Sequence, residues 1–236
     1  MIPLALAGAG LACLIGAVLA LRSVGSGYRI ARLLSATRSV SLDEAVEMAR
    51  AGQAPYVRVG GRIASDEEFP DEHDRPLVYR RKRLEVVDRA GSWQVLREER
   101  EAVAFGLEAR TTFVGVDAAA LEEGLVVLAR EAVGKASELG PELPVGGDPE
   151  APARLVVEQI SAVEHATVAG VPVAGDEHVT LTAGAGRPLI LTTVEVPAAM
   201  RLLARGHRPA VIGAALLLLA GFALLLAGAV ALLTTG

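Results

Sequence analysis

A chain of 236 residues with 52% hydrophobic side chains and a mean hydropathy of +0.41 is too apolar for an ordinary soluble protein of this length. Its formal net charge of −5, from 23 basic and 28 acidic residues, lacks the basic surplus of most nucleic-acid-binding proteins, so nucleic acid is not expected as a partner. A single cysteine excludes an intrachain disulfide.

The hydrophobic excess is concentrated at the two ends of the chain. Residues 2–21 and 210–233 contain no charged residue, and each is about as long as the ~20 residues with which an α-helix crosses the hydrocarbon core of a bilayer. We therefore expect two transmembrane helices and an integral, two-pass membrane protein. Cys13 lies in the first segment, so the chain between the segments has no thiol.

Basic residues predict the orientation of both helices. They follow the first segment and precede the second, and Lys and Arg near a span favour the cytoplasmic side because they resist translocation. Both termini are thus expected outside, with residues 22–209 in the cytoplasm. The basic residues are Arg22, Arg29, Arg32, Arg38, Arg201, Arg205 and Arg208.

Small residues recur along both predicted spans, at Gly8, Ala12 and Gly16 in the first and at Gly221 and Gly228 in the second. Such stripes let helix backbones approach closely in lipid, where packing drives association. They predict a homo-oligomer that forms through these five positions. The alternative is that Ala and Gly are simply abundant in this chain.

Residues 22–55 are predicted to be a juxtamembrane linker that contains a short amphipathic helix at about 41–51. Ser41 and Glu44 form a capping box, which satisfies free amides of the first helical turn. Gly52 provides a stop. The apolar face of this helix is expected to pack on the following domain or to lie at the membrane surface.

From residue 56 to residue 196 the hydrophobic period changes from helical spacing to two, which is typical of strands. Seven or eight short strands separated by turns every ~8–12 residues predict a mainly β domain, a small barrel or sandwich with one or two short helices. A bulge is expected at Gly60 and Gly61. The predicted strands are 56–63, 77–87, 93–105, 110–116, 154–160, 164–169, 178–183 and 189–194.

Four further segments separate or follow these strands. Residues 65–76 are polar and bounded by proline, which predicts a loop, and the proline-rich residues 140–152 predict a flexible one. Leucines at helical spacing in 118–139 predict a helix, part of which could be an irregular loop. Residues 197–208 are expected to form a juxtamembrane helix that leads into the second span.

The most basic run, RRKR at 80–83, suggests phosphate or anionic-lipid binding when it is considered alone. A hairpin turn near Gly91 offers a simpler explanation, because it places basic residues opposite acidic ones on the next strand, and each such pair contributes about 0.2–1 kcal/mol. The predicted pairs are Arg80 with Glu101, Lys82 with Glu99, and Arg83 with Glu98.

Aromatic residues are scarce in the domain. Tyr79 and Trp93 could line a groove beside the basic run, which makes Tyr79, Arg80, Arg81, Arg83 and Trp93 the candidate binding residues. Core packing is the alternative for both aromatic residues, as it is for the domain's other aromatic side chains.

No residue set in the sequence points to catalysis. Asp71, Glu72, His73 and Asp74 contain metal-ligand side chains, but consecutive loop residues seldom converge on one ion. The other histidines stand alone, and no phosphate loop, nucleophile elbow or HExxH motif is present. We expect no catalytic residue, metal or cofactor.

Several short motifs follow one another along the predicted domain. They are VRVGGRI at 57–63, PLVYR at 76–80, Trp93, FGL at 105–107, Glu158, ATVAG at 166–170 and RPLIL at 187–191. Their order between two spans resembles the GIDE domain, also called the beside-a-membrane (BAM) domain. That domain lies between two spans in the mitochondrial-anchored ubiquitin and SUMO ligase of animals and in many shorter prokaryotic proteins. The family usually has an Asp where this chain has Ala109.

The resemblance implies a GIDE-like scaffolding or binding module in the plasma membrane of a prokaryote, with a role in membrane or envelope organisation. Its expected partners are the lipid bilayer and other membrane proteins. Anionic lipid or oligonucleotide binding through residues 80–83, and an unrecognised hydrolase that uses His73, are the alternatives.

The family also carries the label of a RING-type E3 ubiquitin transferase. In the animal relative this activity belongs to a RING, which binds two zinc ions through eight Cys and His ligands. One Cys and four His cannot supply that set. Protein ubiquitination is therefore not expected of this chain.

Overall fold

The computed structural model divides the chain into two compact units. A helical unit combines the two ends of the chain, Met1–Ser35 and Pro197–Gly236, and a β domain comprises Ala36–Val196. The structure describes residues 2–89, 91–122, 124–142, 148–205 and 208–235.

The helical unit contains α1 (Ile2–Ala36), α3 (Val196–Arg205) and α4 (Arg208–Thr235), and a further helix, α2 (Leu42–Arg50), belongs to the β domain. α1 thus continues past the predicted span to Ala36. Of the helix predicted at 197–208, α3 covers the residues up to Arg205, and residues 206–207 lie outside the described part of the chain. Ala- and Leu-rich composition favours helix in α1 and α4.

α1 and α4 pack at backbone contact. A Cβ placed on Gly10 would lie 2.9 Å from the Gly221 carbonyl oxygen, and one on Gly221 would lie 3.0 Å from the Gly10 carbonyl oxygen. A Cβ on Gly16 would lie 3.7 Å from the Leu217 side chain. Two of the predicted association glycines are therefore used between helices of the same chain, whereas Gly8 is exposed. Association between chains stays a prediction.

Within the part of the chain that the structure describes, one helical segment is long and apolar enough to cross a membrane. This segment is Ile212–Val230, with 19 residues, a mean hydropathy of 2.4 and only 17% of its length buried. The described apolar portion of α1, Gly8–Leu19, is shorter.

The β domain has twelve strands among its described residues. They are β1 (Val57–Ala64), β2 (Phe69–Pro70), β3 (Pro76–Val87), β4 (Trp93–Ala102), β5 (Phe105–Ala109), β6 (Thr112–Val116), β7 (Leu125–Val126), β8 (Arg130–Lys135), β9 (Pro152–Ser161), β10 (His165–Ala174), β11 (Val179–Thr182) and β12 (Ile190–Thr192). The prediction of a mainly β domain is confirmed.

Five of these strands close into a barrel. β1 pairs with β5, β5 with β6, β6 with β11, β11 with β10, and β10 with β1. The contact between β6 and β11 is parallel and the others are antiparallel. Numbered along the chain, the barrel order is 1-2-3-5-4-1, which is the Greek-key order of the OB fold.

The barrel interior is filled by alternate residues of its strands, as a half-buried sheet requires. Val59, Ile63, Leu107, Val168 and Leu181 are at most 2% exposed. α2 covers this core with its own apolar face, in which Leu42, Ala45 and Ala49 are buried. The predicted cap is present, since the Glu44 amide donates to the Ser41 hydroxyl at 3.1 Å.

Two long insertions into the barrel build a second sheet together. The insertion between β1 and β5 contributes β2, β3 and β4, and the insertion between β6 and β10 contributes β8 and β9. β3 is central, with β4 on one side and β9 on the other, and β8 lies outside β9. β12 and β7 extend the barrel sheet beside β10.

The helix predicted at 118–139 is wrong. The structure has a 3₁₀ turn at Ala118–Ala120, then β7 and β8, then a 3₁₀ segment at Ala136–Glu142. Leu121 is fully buried, but Leu128 on the supposed same face is 67% exposed. Pairing of β8 with β9 satisfies the backbone instead. Of the predicted loop 140–152, residues 143–147 lie outside the described part of the chain.

Two further details differ from expectation. The strand predicted at 93–105 is divided into β4 and β5, and the loop predicted at 65–76 contains the short β2. No bulge occurs at Gly60 and Gly61, because β1 pairs with β10 without interruption. Gly61 instead permits the close approach of β5, since a Cβ there would lie 2.9 Å from the Glu108 carbonyl oxygen.

Candidate functional site

The predicted charged ladder between β3 and β4 is confirmed in register. The opposed residues are Arg80 and Glu101, Lys82 and Glu99, and Arg83 and Glu98. Arg80 forms an ion pair with Glu101 and also lies 5.3 Å from the ring centre of Phe69. Lys82 approaches Glu72 at 3.8 Å instead of the opposite glutamate. The basic run is thus largely neutralised within the domain.

Arg81 lies on the face of β3 opposite to Arg80 and Lys82, and it is buried. Its Nε donates to the Glu158 carboxylate at 2.7 Å, and its Nη1 donates to the Glu122 carbonyl oxygen at 2.7 Å. Burial alone would lower the pKa of Arg81, but the hydrogen bond and charge of Glu158 outweigh it and raise the pKa. Arg83 also reaches Glu158, at 3.5 Å. These contacts make Arg81 a structural cation.

Tyr79 and Trp93 do not share a groove. Tyr79 is 1% exposed and is opposite Ala102, whereas Trp93 is opposite Val87 at the far end of β3. Trp93 is 40% exposed, and the Arg154 guanidinium carbon lies over its ring, 4.2 Å from the ring centre. The structure does not gather the five candidate residues into one site, and their binding role stays a prediction.

The loop around His73 is organised by Asp71. The Asp71 carboxylate accepts the backbone amides of His73 and Arg75 and the Arg75 side chain, and the bond from the Arg75 amide is the largest cause of its lowered pKa. Among the described residues, no group of three or more His, Cys, Asp or Glu side chains is placed to hold a metal ion.

A different surface of the domain forms a wide cleft among the described residues. About 710 Å³ opens on the barrel between β1, β5, β10 and the segment that follows β12. Clefts on the second sheet are smaller, at about 200 and 360 Å³. The volume of the barrel cleft is in the range of small-molecule sites, which is roughly 300–1,000 Å³.

The cleft contains two rows of side chains that run across the strands. Directly opposed residues of neighbouring strands share a face, and Arg62 is opposed by Glu108 on one side and by His165 on the other. In the next row, Thr167 is opposed by Gly60. Since Gly60 has no side chain, the second row has a gap at its centre, and this gap is the floor of the cleft.

Arg110 stands at the end of the cleft in an unusual backbone conformation. It is the first of two residues in the turn between Ala109 and Thr112, which pair with each other, and its φ is +58°. This left-handed region disfavours residues with a Cβ, and glycine is the usual occupant of such hairpin positions. Backbone strain of this kind often marks a functional position.

The ionisable side chains of the cleft do not pair with one another. Arg62, Arg110, His165, Glu108 and Glu195 all line it and are exposed. Within the described part of the chain none of these five side chains forms an ion pair or a hydrogen bond. The cleft therefore offers both cationic and anionic groups to a ligand.

Sequence reasoning did not identify this cleft. Its residues come from positions 60–62, 108–110, 165–167 and 192–195, which only the barrel closure brings together. A local signal existed in the exposed polar residues beside the Gly60-Gly61 pair. Nothing in the sequence says that β1, β5 and β10 lie next to one another.

Comparison with known proteins adds no relative. The chain matches no family model, no curated protein and no solved structure. The resemblance to the GIDE domain therefore stays a prediction, and function is inferred from the geometry of the described residues.

Proposed function

We propose that this protein is a membrane-tethered, non-catalytic binding module. In this proposal α1 and α4 cross the plasma membrane of a prokaryote as a pair, with both termini outside, and the GIDE-like β domain presents its cleft to ligands in the cytoplasm. The observation that carries the proposal is the apolar segment Ile212–Val230, of which only 17% is buried.

The outward surface of this segment favours lipid as its surroundings. Its exposed side chains include Leu216, Leu219, Phe222 and Leu226, each at least 58% exposed. A helix in the core of a soluble protein buries such residues, because contiguous exposed apolar surface is unfavourable in water. The lipid core of a bilayer has no such cost.

α1 supports a second span. It is in backbone contact with α4 at Gly10, and the side chains on its outer surface are also apolar. Leu11, Ile15, Val18 and Leu19 are at least 52% exposed. The charged residues Arg22 and Arg208 lie at the ends of the two apolar segments that are nearer the β domain in sequence, as the cytoplasmic preference of basic residues requires.

Tethering at both ends suits a binding module. The β domain continues into α1 at one end and into α3 and α4 at the other, so it stays within a short distance of the bilayer. Confinement raises its effective concentration toward lipids and other membrane proteins. A scaffold for membrane or envelope organisation gains from this without any catalytic group.

Cysteine labelling tests the topology. In a Cys13→Ala background, Ser92→Cys places a thiol in the exposed turn between β3 and β4, and Thr235→Cys places one near the carboxyl terminus. A membrane-impermeant maleimide is expected to label the Thr235→Cys variant in intact cells and the Ser92→Cys variant only after permeabilisation. Labelling of Ser92→Cys in intact cells would reverse the proposed orientation.

Carbonate extraction tests the two membrane spans, and affinity purification tests the scaffolding role. Alkaline carbonate is expected to leave the protein in the membrane pellet, and its release would contradict the two spans.

Affinity purification from solubilised membranes is expected to recover specific membrane proteins relative to an unrelated two-span protein. Recovery of the same set in both samples would count against a scaffolding role.

A further inference from the structure

The barrel cleft contains unpaired charges of both signs, and nothing in the described part of the chain neutralises them. We propose that the cleft binds a ligand in which a phosphate and an ammonium group lie close together, the chemistry of a phosphoethanolamine headgroup. Arg62 and Arg110 hold the phosphate, and Glu108 and Glu195 hold the ammonium group. The inference rests on the proposed function only for the source of the ligand, a lipid of the surrounding bilayer.

The cationic half of the site follows from strand register. Arg62 and Gly60 share one face of β1, and Thr167 is opposed to Gly60 on β10. Arg110 lies two residues beyond Glu108, which is opposed to Arg62 on β5. Two arginines thus line the same cleft as Gly60, and planar guanidinium forks bind phosphate through paired N–H donors. The Thr167 hydroxyl supplies a further donor.

The two carboxylates of the cleft distinguish the proposed ligand from a simple anion. A site for phosphate alone would not need two free carboxylates among its lining groups, because they repel the ligand. Glu108 and Glu195 line the same cleft and form no ion pair with a described residue. A ligand that carries an ammonium group beside its phosphate satisfies both sets of charges at once.

The backbone of Arg110 supports a binding role for its side chain. Glycine would adopt the observed φ of +58° with less strain. An arginine there costs stability and adds a cation to the edge of the cleft. Retention of a strained residue where a smaller one fits better is expected when the side chain has a function.

Calorimetric titration of the full-length protein in a non-ionic detergent tests the ligand. The probes are O-phosphoethanolamine, inorganic phosphate and ethanolamine. O-phosphoethanolamine is expected to bind at least about tenfold more tightly than either of the others, because each of them engages one half of the site. Equal affinity for phosphate and O-phosphoethanolamine would overturn the proposal.

A variant that fills the cleft tests the location. A Cβ on Gly60 would lie 3.8 Å from the Ala166 carbonyl oxygen, an ordinary contact, so the backbone admits a side chain there that points into the cleft. We expect Gly60→Leu to abolish O-phosphoethanolamine binding, and Arg50→Ala, which removes an exposed arginine from α2, to leave it unchanged. Wild-type binding by a folded Gly60→Leu variant would place the ligand elsewhere.

Single-charge variants test each half of the site. Arg62→Ala is expected to weaken O-phosphoethanolamine by about tenfold or more, and to weaken inorganic phosphate by the same factor. Glu108→Gln is expected to weaken O-phosphoethanolamine and ethanolamine but not inorganic phosphate. If Glu108→Gln and Glu195→Gln both leave O-phosphoethanolamine binding unchanged, the carboxylates do not contact the ligand and the proposal fails.

Bilayers test the source. In nanodiscs, phosphatidylethanolamine is expected to compete with added O-phosphoethanolamine, whereas phosphatidylglycerol is not. Competition by neither lipid, with the soluble probe still bound, would keep the site and exclude a lipid as its ligand. Tethering is judged separately by carbonate extraction, so a soluble protein that binds the probe would contradict the proposed membrane role and leave the cleft assignment standing.

Discussion

The second sheet and the barrel face use the same residue types in the same kind of register with opposite results. On β3 and β9, Arg81 and Glu158 are opposed, buried and hydrogen-bonded at 2.7 Å. On β1 and β5, Arg62 and Glu108 are also opposed, but they are exposed and form no ion pair. The comparison teaches that strand register alone does not make a salt bridge. At Arg81 and Glu158 burial enforces the pairing, because a charge removed from water requires a partner.

The largest expected effect breaks the buried pair. Glu158→Ala leaves Arg81 without its carboxylate in a buried position, and such losses destabilise a protein by about 3–5 kcal/mol. The free energy of unfolding can be followed in denaturant through the fluorescence of Trp93, the only tryptophan. Glu108→Ala is the matched control, for which we expect a change within about 0.5 kcal/mol. Equal losses would remove the distinction between the two regions.

The adjacent glycines of β1 sharpen the comparison within the barrel. Gly61→Ala forces a Cβ to within 2.9 Å of the Glu108 carbonyl oxygen and 3.1 Å of the Leu107 Cβ. We expect a loss of about 2 kcal/mol, typical of overpacking between strands. Gly60→Ala meets only ordinary contacts, so its unfolding free energy should stay the same or rise. A large loss in Gly60→Ala would mean that the cleft floor is structural.

The hydroxyl of Tyr56 is a polar group whose hydrogen bond is formed within the β domain. Its hydroxyl donates to the Pro188 carbonyl oxygen at 2.6 Å, and burial raises its pKa to about 12 despite the nearby Arg187. The unfolded chain ionises first, near its ordinary pKa of 10. The contribution of Tyr56 to the free energy of unfolding is therefore fully present below pH 10. It is lost as the pH rises toward 12, by about 1–2 kcal/mol. Tyr56→Phe should remove this pH dependence, and its persistence would assign it to another group.

The smallest expected effect concerns Arg110. Arg110→Gly relieves the strain of a φ of +58°, but glycine also gains freedom in the unfolded chain, so we expect stability to rise by only about 0.5 kcal/mol. Ligand affinity should fall at the same time. Thermal unfolding and calorimetric titration measure the two effects. A variant that loses both stability and binding would show that Arg110 serves the turn and not the cleft.

Local features of the fold could be predicted from the sequence. The cap of α2 depends on Ser41 and Glu44, three residues apart, and the register of β3 and β4 depends on one turn near Gly91. Both are decided by neighbours along the chain. The alternation of apolar residues likewise predicts most strands, because one face of each must meet the core.

Pairing between strands that are far apart in sequence explains the predictions that were wrong or missing. β8 contains Ala132, whose spacing from the preceding leucines also suits a helix, and only its partner Leu155 on β9 decides for a strand. The cleft is a stronger case, since Arg62, Glu108 and His165 become neighbours only through barrel closure. The role of Gly61 was missed for the same reason.

The pairing of two insertions has a consequence for synthesis. Arg81 on β3 and its hydrogen-bonded partner Glu158 on β9 are 77 residues apart, so a nascent chain that has emerged only as far as β8 holds Arg81 without that carboxylate. The pairings of β9 with β3 and β8 can form only after β9 has left the ribosome, shortly before the barrel strand β10 that follows it. A chain interrupted inside either insertion should fail as a whole instead of yielding a stable half.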